Sequence, residues 1–224
     1  MTTLFVTGSG TGVGKTFVCC RLLETLPAGT AVRCVKPIVT GFDPEAPAET
    51  DTGRLLTARG LPIDAAGIDA TSPWRFRDPV SADMAQARER LRVPFEELVA
   101  FSRPPPGVAL NIVEGIGGVM APIDSRRTVL DWIEALEAKV LLVTGSYLGT
   151  LSHTLTAVDA LRGRNITIIA IVLSQSPDEP APTAETAASL GRFTGDLPIA
   201  VLPRIDSADV AELATLLGRR FDLA

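Results

Sequence analysis

A lysine and a threonine stand at the end of a glycine-rich stretch near the start of the chain. Residues 8–16 are Gly-Ser-Gly-Thr-Gly-Val-Gly-Lys-Thr. Glycines let successive backbone N–H groups converge on an anion. The lysine of such a loop can reach the β- and γ-phosphates, and the hydroxyl can bind Mg²⁺. The residue types therefore predict a loop that binds a nucleoside triphosphate through Lys15 and Thr16.

The segments on both sides of this loop support the interpretation. An apolar run at residues 4–6 predicts a buried strand, and residues 17–23 predict a helix whose N-terminus favours anions. Five residues separate Gly8 from Gly14, one more than usual, and the alternative is a glycine turn without a ligand. A dinucleotide fingerprint fails, because Val13 stands where its third glycine is needed. The remaining loop residues expected to line the nucleotide site are Gly12, Val13, Gly14 and Phe17.

Two further charged residues stand at the ends of predicted strands. Lys36 ends a strand predicted at residues 31–36, and Glu114 follows one at 108–113 and opens into glycines. Parallel sheets bind ligands at the carboxyl ends of their strands, and phosphate-loop enzymes hold an acidic Mg²⁺ partner at such a position. A buried carboxylate without a cation would be costly. For Lys36 alone, a solvated lysine at a strand end remains an equal alternative.

Strands and helices alternate along the chain and are expected to position these residues. Further strands are predicted at residues 140–144, 166–173 and 199–202, and further helices at 50–58, 81–91, 94–102, 127–137, 150–162, 183–194 and from about 207. Residues 60–79 are expected to be irregular. Strands that are apolar on both faces indicate a mostly parallel sheet covered by helices on each side. The prediction is a single three-layer α/β domain of the phosphate-loop type over residues 1–224.

Composition narrows the class of protein. A formal charge of -5 over 224 residues, without a basic cluster, argues against nucleic-acid binding. No apolar run is long enough to span a membrane, and the first residues lack the layout of a signal peptide. Cys19, Cys20 and Cys34 form neither a disulfide framework nor a metal-binding spacing. We therefore expect reduced thiols in a cytoplasmic protein.

The motifs taken together resemble those of the dethiobiotin synthetase family. They are the long phosphate loop, Lys36-Pro37 with Gly41, Asp51, residues 113–118 (Val-Glu-Gly-Ile-Gly-Gly) and residues 145–150 (Gly-Ser-Tyr-Leu-Gly-Thr). The similarity covers residues 1 to about 205. It implies a ligase of biotin biosynthesis that converts 7,8-diaminopelargonic acid, CO₂ and ATP into dethiobiotin, ADP and phosphate.

The same resemblance assigns roles to individual residues. It implies that Thr11 and Lys15 bind the phosphates and that Lys36 and Thr40 face the substrate's carbamate. The implied Mg²⁺ ligands are Thr16, Asp51 and Glu114. For Asp51, the residues alone favour the alternative role of a helix cap, which Thr50 could also supply. The family forms homodimers with the diamine between subunits, which places Gly149, Thr150 and Leu151 near the substrate carboxylate.

Two positions depart from the family pattern. An asparagine commonly recognises adenine after the strand at 166–173, but this chain has Ser174 there, followed by Gln175. One hydroxyl cannot satisfy both edges of adenine, whereas a shift by one residue would restore an amide. The second departure is Tyr147, which replaces a frequent lysine and affects one detail of substrate binding.

The resemblance also places Pro203 in the nucleotide site.

Three other functions are weighed against this one. A partitioning or regulatory ATPase needs an extra lysine early in the loop, where Ser9 and Gly10 stand. A cobyrinate-amidating enzyme needs a glutaminase domain with a Cys–His pair, which we do not expect from a chain with one histidine. A non-catalytic nucleotide-binding module would bind ATP without diamine-dependent release of phosphate.

Overall fold

A computed structural model describes residues 2–27 and 29–204, and these residues form a series of strands and helices. The strands are β1 (Thr2–Gly8), β2 (Val32–Val35), β3 (Ile38–Thr40), β4 (Trp74–Phe76), β5 (Leu110–Glu114), β6 (Lys139–Gly145), β7 (Ile168–Ser174) and β8 (Ile199–Leu202). The helices are α1 (Lys15–Thr25), α2 (Asp51–Ala58), α3 (Ala65–Thr71), α4 (Ala82–Glu89), α5 (Phe95–Ser102), α6 (Val129–Leu136), α7 (Thr150–Gly163) and α8 (Thr183–Thr194). The helix predicted from about residue 207 lies outside the described residues.

Six strands form one parallel sheet in the order β2-β5-β1-β6-β7-β8. Its central strand shows why apolar residues occur on both faces. Phe5 packs in one core with Trp132 of α6, at a ring-centroid distance of 4.8 Å, whereas Leu4 and Val6 pack in a second core with Leu22 of α1. Successive side chains of a strand point to opposite faces. The predicted α/β architecture, with helices on both faces, is confirmed.

The prediction of an irregular segment at residues 60–79 was wrong. This segment contains α3 and β4, and β4 pairs in parallel with β3 in a second, two-stranded sheet. Asp64 caps α3 by accepting a hydrogen bond from Gly67 N at 2.8 Å. Both strands have three residues, which is too short for a periodic pattern to mark them. The small sheet fixes Thr40 at the end of β3, beside the main sheet.

The cysteines are free thiols, as predicted. Cys19 and Cys34 are buried, and Cys20 is partly buried. Burial raises the pKa of the Cys20 thiol to about 12, so this side chain stays protonated and unreactive at neutral pH. Within the described part of the chain, no helix has the length and apolar character that crossing a membrane requires.

Candidate active site

The carboxyl ends of the strands bring the predicted residues together. β5 lies between β1 and β2, so the glycine loop after β1, Glu114 at the end of β5 and Lys36 after β2 become neighbours. Ser174 ends β7 on the other side of the loop. The result is a cleft of about 520 Å³. Of the predicted residues, it is lined by Thr11, Gly12, Val13, Gly14, Lys15, Thr16, Phe17, Lys36, Thr40, Asp51, Glu114, Ser174 and Gln175.

Close approaches inside the loop require two of its glycines. A Cβ at Gly8 would lie 2.8 Å from Val13 Cγ2, and a Cβ at Gly14 would lie 2.7 Å from Ser174 Oγ. Gly14 also has a φ of 94°, which other residues adopt only with strain. Val13 is itself buried and packs against Gly8.

Lys36 lies at the centre of a buried cluster of charges. Its Nζ donates to Glu114 Oε1 at 2.7 Å, to Thr16 Oγ1 at 3.3 Å and to the carboxylate of Asp51. Thr16 Oγ1 in turn donates to Glu114 Oε1 at 2.7 Å. The side chain of Glu114 is 0% exposed. The interpretation of Lys36 as a solvated lysine at a strand end is therefore wrong.

The ionisation of this cluster follows from two opposing effects. Burial by itself lowers the pKa of Lys36, but the carboxylates of Glu114 and Asp51 outweigh it and raise that pKa above its usual range. Burial would raise the pKa of Asp51, whereas the Lys36 ammonium lowers it, and the net shift is downward. At neutral pH Lys36 is therefore a cation and Asp51 an anion.

The donor set around Glu114 fits a Mg²⁺ ion. Glu114 Oε2 is buried without a hydrogen-bond partner among the described residues, so one carboxylate oxygen is available to a cation. No group of three or more His, Cys, Asp or Glu residues that could hold a metal occurs in residues 2–27 and 29–204. Mg²⁺ at nucleotide sites needs only one or two carboxylates, with the phosphates completing its shell. Thr16, Asp51 and Glu114 supply two carboxylates and a hydroxyl of this kind.

The helix cap of α2 is Thr50 rather than Asp51. Thr50 Oγ1 accepts a hydrogen bond from Gly53 N at 3.2 Å, as an N-cap side chain does. Asp51 directs its carboxylate to Lys36 instead. The capping role that the sequence favoured for Asp51 was therefore wrong, and its role as a metal ligand stays a prediction.

Lys15 is held inside the loop. Its Nζ donates to Gly10 O at 2.9 Å. Burial, followed by repulsion from Lys36, lowers the pKa of Lys15 to about 8. Near pH 8 the ammonium of Lys15 thus loses part of its charge while the cleft is free of phosphate.

We therefore expect nucleotide affinity to fall as the pH rises above about 8. Anionic phosphates raise the pKa of Lys15, so nucleotide binding above this pH takes up one proton. The nucleotide affinity then falls by at most about tenfold per pH unit. Calorimetric titration of ADP between about pH 7 and 9.5, in buffers of different ionisation enthalpy, measures both effects. Lys15→Arg keeps its charge throughout and should bind with little pH dependence. Equal affinity of the original chain at both ends of this range would contradict the assignment.

Ser174 and Gln175, the two residues predicted to lie near the nucleotide base, differ in their surroundings. Ser174 Oγ lies against Gly14. The amide of Gln175 is engaged on both sides, because Nε2 donates to Glu179 Oε2 at 2.5 Å and Oε1 accepts from Arg204 N at 3.2 Å. To contact a base, Gln175 must give up one of these hydrogen bonds.

Some predicted residues lie elsewhere. Pro203 follows β8 but does not line the cleft, whereas its neighbour Arg204 does. Gly149, Thr150 and Leu151 form the start of α7 and are not among the described residues that line the nucleotide cleft or the second cleft beside it. Leu151 is 38% exposed, whereas Thr150 is buried.

Sequence reasoning missed several residues that line the cleft. They are Arg54, Ile116, Gly117, Ser176, Pro177 and Arg204. A signal was available for Arg54, because it stands three residues after Asp51 on a predicted helix, and residues spaced in this way share a helix face. The others stand in loops, whose positions no periodic pattern specifies.

A second cleft of about 640 Å³ adjoins the first. Its walls are largely apolar and come from α4, from the loop after Glu114 and from α7. His153 also lines it and forms a 2.9 Å hydrogen bond through Nδ1 with Tyr147 OH. The residues common to both clefts are Thr11, Thr40, Ile116 and Gly117. An apolar cleft thus opens directly onto the phosphate-binding one.

Comparison with known proteins identifies the family. A family model described as an AAA domain matches residues 2–211. The chain is 44% identical to an ATP-dependent dethiobiotin synthetase of Acidiphilium cryptum, over 88% of this chain and 91% of the relative. It is 41% identical to one of Phenylobacterium zucineum, over 98% and 97%. A solved structure of apo McdA from Cyanthece has a TM-score of 0.52 and 12% identity over 92% of this chain and 87% of that one, which supports the fold alone. The chain belongs to the dethiobiotin synthetase family.

Proposed function

We propose that the protein is an ATP- and Mg²⁺-dependent dethiobiotin synthetase. The observation that carries this proposal is the junction of the two clefts at Thr11 and Thr40, with Lys36 on the wall of the first. A phosphate-binding cleft that opens into an apolar cleft suits phosphoryl transfer from ATP to a substrate with an aliphatic chain. Similarity to curated dethiobiotin synthetases over most of the chain supports the same reaction.

The reaction brings two anions together. One amine of 7,8-diaminopelargonic acid adds CO₂ to give a carbamate. The carbamate oxygen attacks the terminal phosphate of ATP and displaces ADP, which gives a carbamic–phosphoric anhydride. The second amine then closes the ureido ring and expels phosphate. In the proposal Lys15 binds the ATP phosphates, and Lys36 and Thr40 orient the carbamate. Mg²⁺, when bound, neutralises phosphate charge and favours transfer. No covalent nucleophile is needed.

The apolar cleft is proposed to hold the aliphatic chain of the diamine. Burying methylene groups against side chains such as Val80 and Val119, both in the wall of this cleft, stabilises the complex by about 0.8 kcal/mol for each group. The two amines would then lie near the junction, within reach of Thr40 and Lys36. The cleft therefore contributes binding and orientation, while the charges beside it contribute the chemistry.

We further propose that two copies of the chain form a homodimer. Leu148, two residues before α7, is 87% exposed, and Met120, on the wall of the apolar cleft, is 55% exposed. Exposed apolar residues beside a cleft are typical of an interface. Thr150 N donates to Tyr147 O at 3.1 Å. The N–H groups that follow it in the first turn of α7 suit the substrate carboxylate bound by the neighbouring copy. Sedimentation velocity measures the association, and a monomer at working concentration would contradict it.

Phosphate release tests the proposed reaction. We expect release to require ATP, Mg²⁺, diaminopelargonate and bicarbonate together, and mass spectrometry to find dethiobiotin in a 1:1 ratio with phosphate. Release of phosphate that does not depend on the diamine would instead support an ATPase of the partitioning class. Binding of ATP without release would support a non-catalytic module. As the setting of such a biosynthetic enzyme we propose the cytoplasm.

The base end of the cleft leads to a prediction about nucleotide selectivity. Ser174 offers one hydroxyl where two hydrogen bonds would specify adenine, and a missing bidentate pair forfeits about 1–3 kcal/mol of discrimination. We expect CTP or GTP to support turnover within about tenfold of ATP, the ratio that 1.4 kcal/mol gives. Values of kcat/KM for the three nucleotides provide the measurement, and Ser174→Asn should raise the preference for ATP. A preference above about a hundredfold in the original chain would mean that Gln175 or the backbone recognises the base.

A further inference from the structure

Arg54 is placed on the wall of the nucleotide cleft by the packing of α2. Asp51 and Arg54 are separated by three residues and therefore lie on one helix face, and both line the cleft. Leu56, on the opposite side of the helix, is fully buried, and Leu55 beside Asp51 is buried as well. A Cβ at Gly53 would lie 2.2 Å from Pro47 O, so the first turn of α2 sits directly against the preceding backbone. The direction in which α2 presents Arg54 is thereby fixed.

The guanidinium of Arg54 is not committed to another protein group. Within residues 2–27 and 29–204 it forms no hydrogen bond or ion pair, and the residue is exposed. Its positive charge contributes to the low pKa of Asp51, after the larger effects of burial and Lys36. Arg54 is thus a cation that faces the cleft and remains available to a ligand.

The two lysines that line the phosphate cleft are more constrained than Arg54. Lys36 is neutralised by Glu114 and Asp51, and Lys15 is held by Gly10 O. Arginine stays charged at all working pH values, and its planar group donates two parallel hydrogen bonds to phosphate oxygens. Phosphoryl transfer spreads negative charge over the oxygens of the transferred group. A free guanidinium at this place matches that charge.

We propose that Arg54 is a further catalytic residue, which binds the terminal phosphate of the nucleotide and stabilises the phosphoryl group during its transfer. This inference rests on the proposed function for the transfer step, whereas the contact with the phosphate concerns nucleotide binding alone. Arg54 forms no covalent bond and transfers no proton. Its contribution is electrostatic, and it should be larger in the transition state than in the ground state.

Binding of two nucleotides separates this role from a structural one. Arg54→Gln should leave the affinity for ADP within about twofold and weaken a non-hydrolysable ATP analogue, which carries the terminal phosphate, by about tenfold. Arg54→Lys should recover part of this loss, because a point charge replaces the planar donor pair. Arg88→Gln is the matched control. Arg88 is an exposed arginine of α4, and one of its guanidinium nitrogens lies 3.1 Å from a carboxylate oxygen of Asp78. This substitution should change neither affinity.

Turnover provides the second measurement. At saturating ATP, diamine and bicarbonate, Arg54→Gln should lower kcat by about tenfold to a hundredfold, the scale of one lost electrostatic contact, with an unchanged melting temperature. Equal affinity of Arg54→Gln and the original chain for the analogue would overturn the proposal. Absence of dethiobiotin from the original chain would overturn the proposed function instead, while the binding experiment would still decide the contact of Arg54 with the phosphate.

Discussion

Replacing Lys36 with glutamine is expected to lower turnover by about a hundredfold or more, the scale of removing one electrostatic stabiliser from an active site. Lys36 is the only lysine among the residues that line the phosphate cleft besides Lys15 of the loop, within the part of the chain that the structure describes. Without the ammonium of Lys36, less positive charge offsets the repulsion between the anionic carbamate and the phosphates of ATP. Steady-state rates of phosphate release, with product mass, provide the measurement.

The same substitution should also lower stability, which the sequence alone did not indicate. Glu114 is fully buried and loses its ion-pair partner in Lys36→Gln. Removing one partner of a buried pair typically costs about 3–5 kcal/mol. Mg²⁺ should restore part of the melting temperature, because a cation bound to Glu114 and Asp51 replaces the missing charge. The turnover of Lys36→Gln and of the original chain is therefore compared at high Mg²⁺ and well below the melting temperature of the variant.

Two results separate the chemistry of Lys36 from its effect on folding. Circular dichroism of Lys36→Gln should show the helix content of the original chain at the assay temperature. Arg88→Gln, which breaks an exposed pair with Asp78, should leave both turnover and melting temperature nearly unchanged. Near-normal turnover of folded Lys36→Gln would remove Lys36 from the mechanism and leave it a purely structural ion-pair partner.

The sequence was sufficient for those site residues that stand at strand ends. Lys15 and Thr16 follow β1, Lys36 follows β2 and Glu114 ends β5. Long apolar strands are recognisable by composition, and parallel strands present their carboxyl ends at one edge. Four residues that are far apart in sequence could therefore be assigned to one cleft. Only the strand order, β2-β5-β1, shows that they are immediate neighbours.

The sequence was insufficient where tertiary contacts decide the structure. β3 and β4 have three residues each and exist through their pairing, so no local pattern marked them. Asp51 has the sequence context of a helix cap, and only its ion pair with Lys36 shows another use of the carboxylate. The apolar cleft combines segments from α4, the loop after Glu114 and α7. Such a surface cannot be derived from any one of these segments.

Substitution of the three predicted Mg²⁺ ligands should raise the Mg²⁺ concentration needed for half-maximal activity. Glu114→Ala is expected to have the largest effect, because Glu114 is buried, contacts both Thr16 and Lys36, and keeps one oxygen free of described partners. Asp51→Ala should have a smaller effect, since the side chain of Asp51 is 37% exposed and water can take its place in the metal shell. Thr16→Ala should lie between them.

A direct binding measurement makes this prediction independent of turnover. Mn²⁺ binding in the presence of ADP, followed by electron paramagnetic resonance, should weaken in the same order as the Mg²⁺ requirement rises. Thr50→Ala is the matched control, because Thr50 caps α2 and its loss should cost about 0.5–2 kcal/mol of stability. This control should leave metal binding unchanged. If Asp51→Ala behaves like Thr50→Ala, with a lower melting temperature and unaltered Mn²⁺ affinity, then Asp51 serves Lys36 and the helix rather than the metal. Glu114 and Thr16 would then have to hold Mg²⁺ with the phosphates alone.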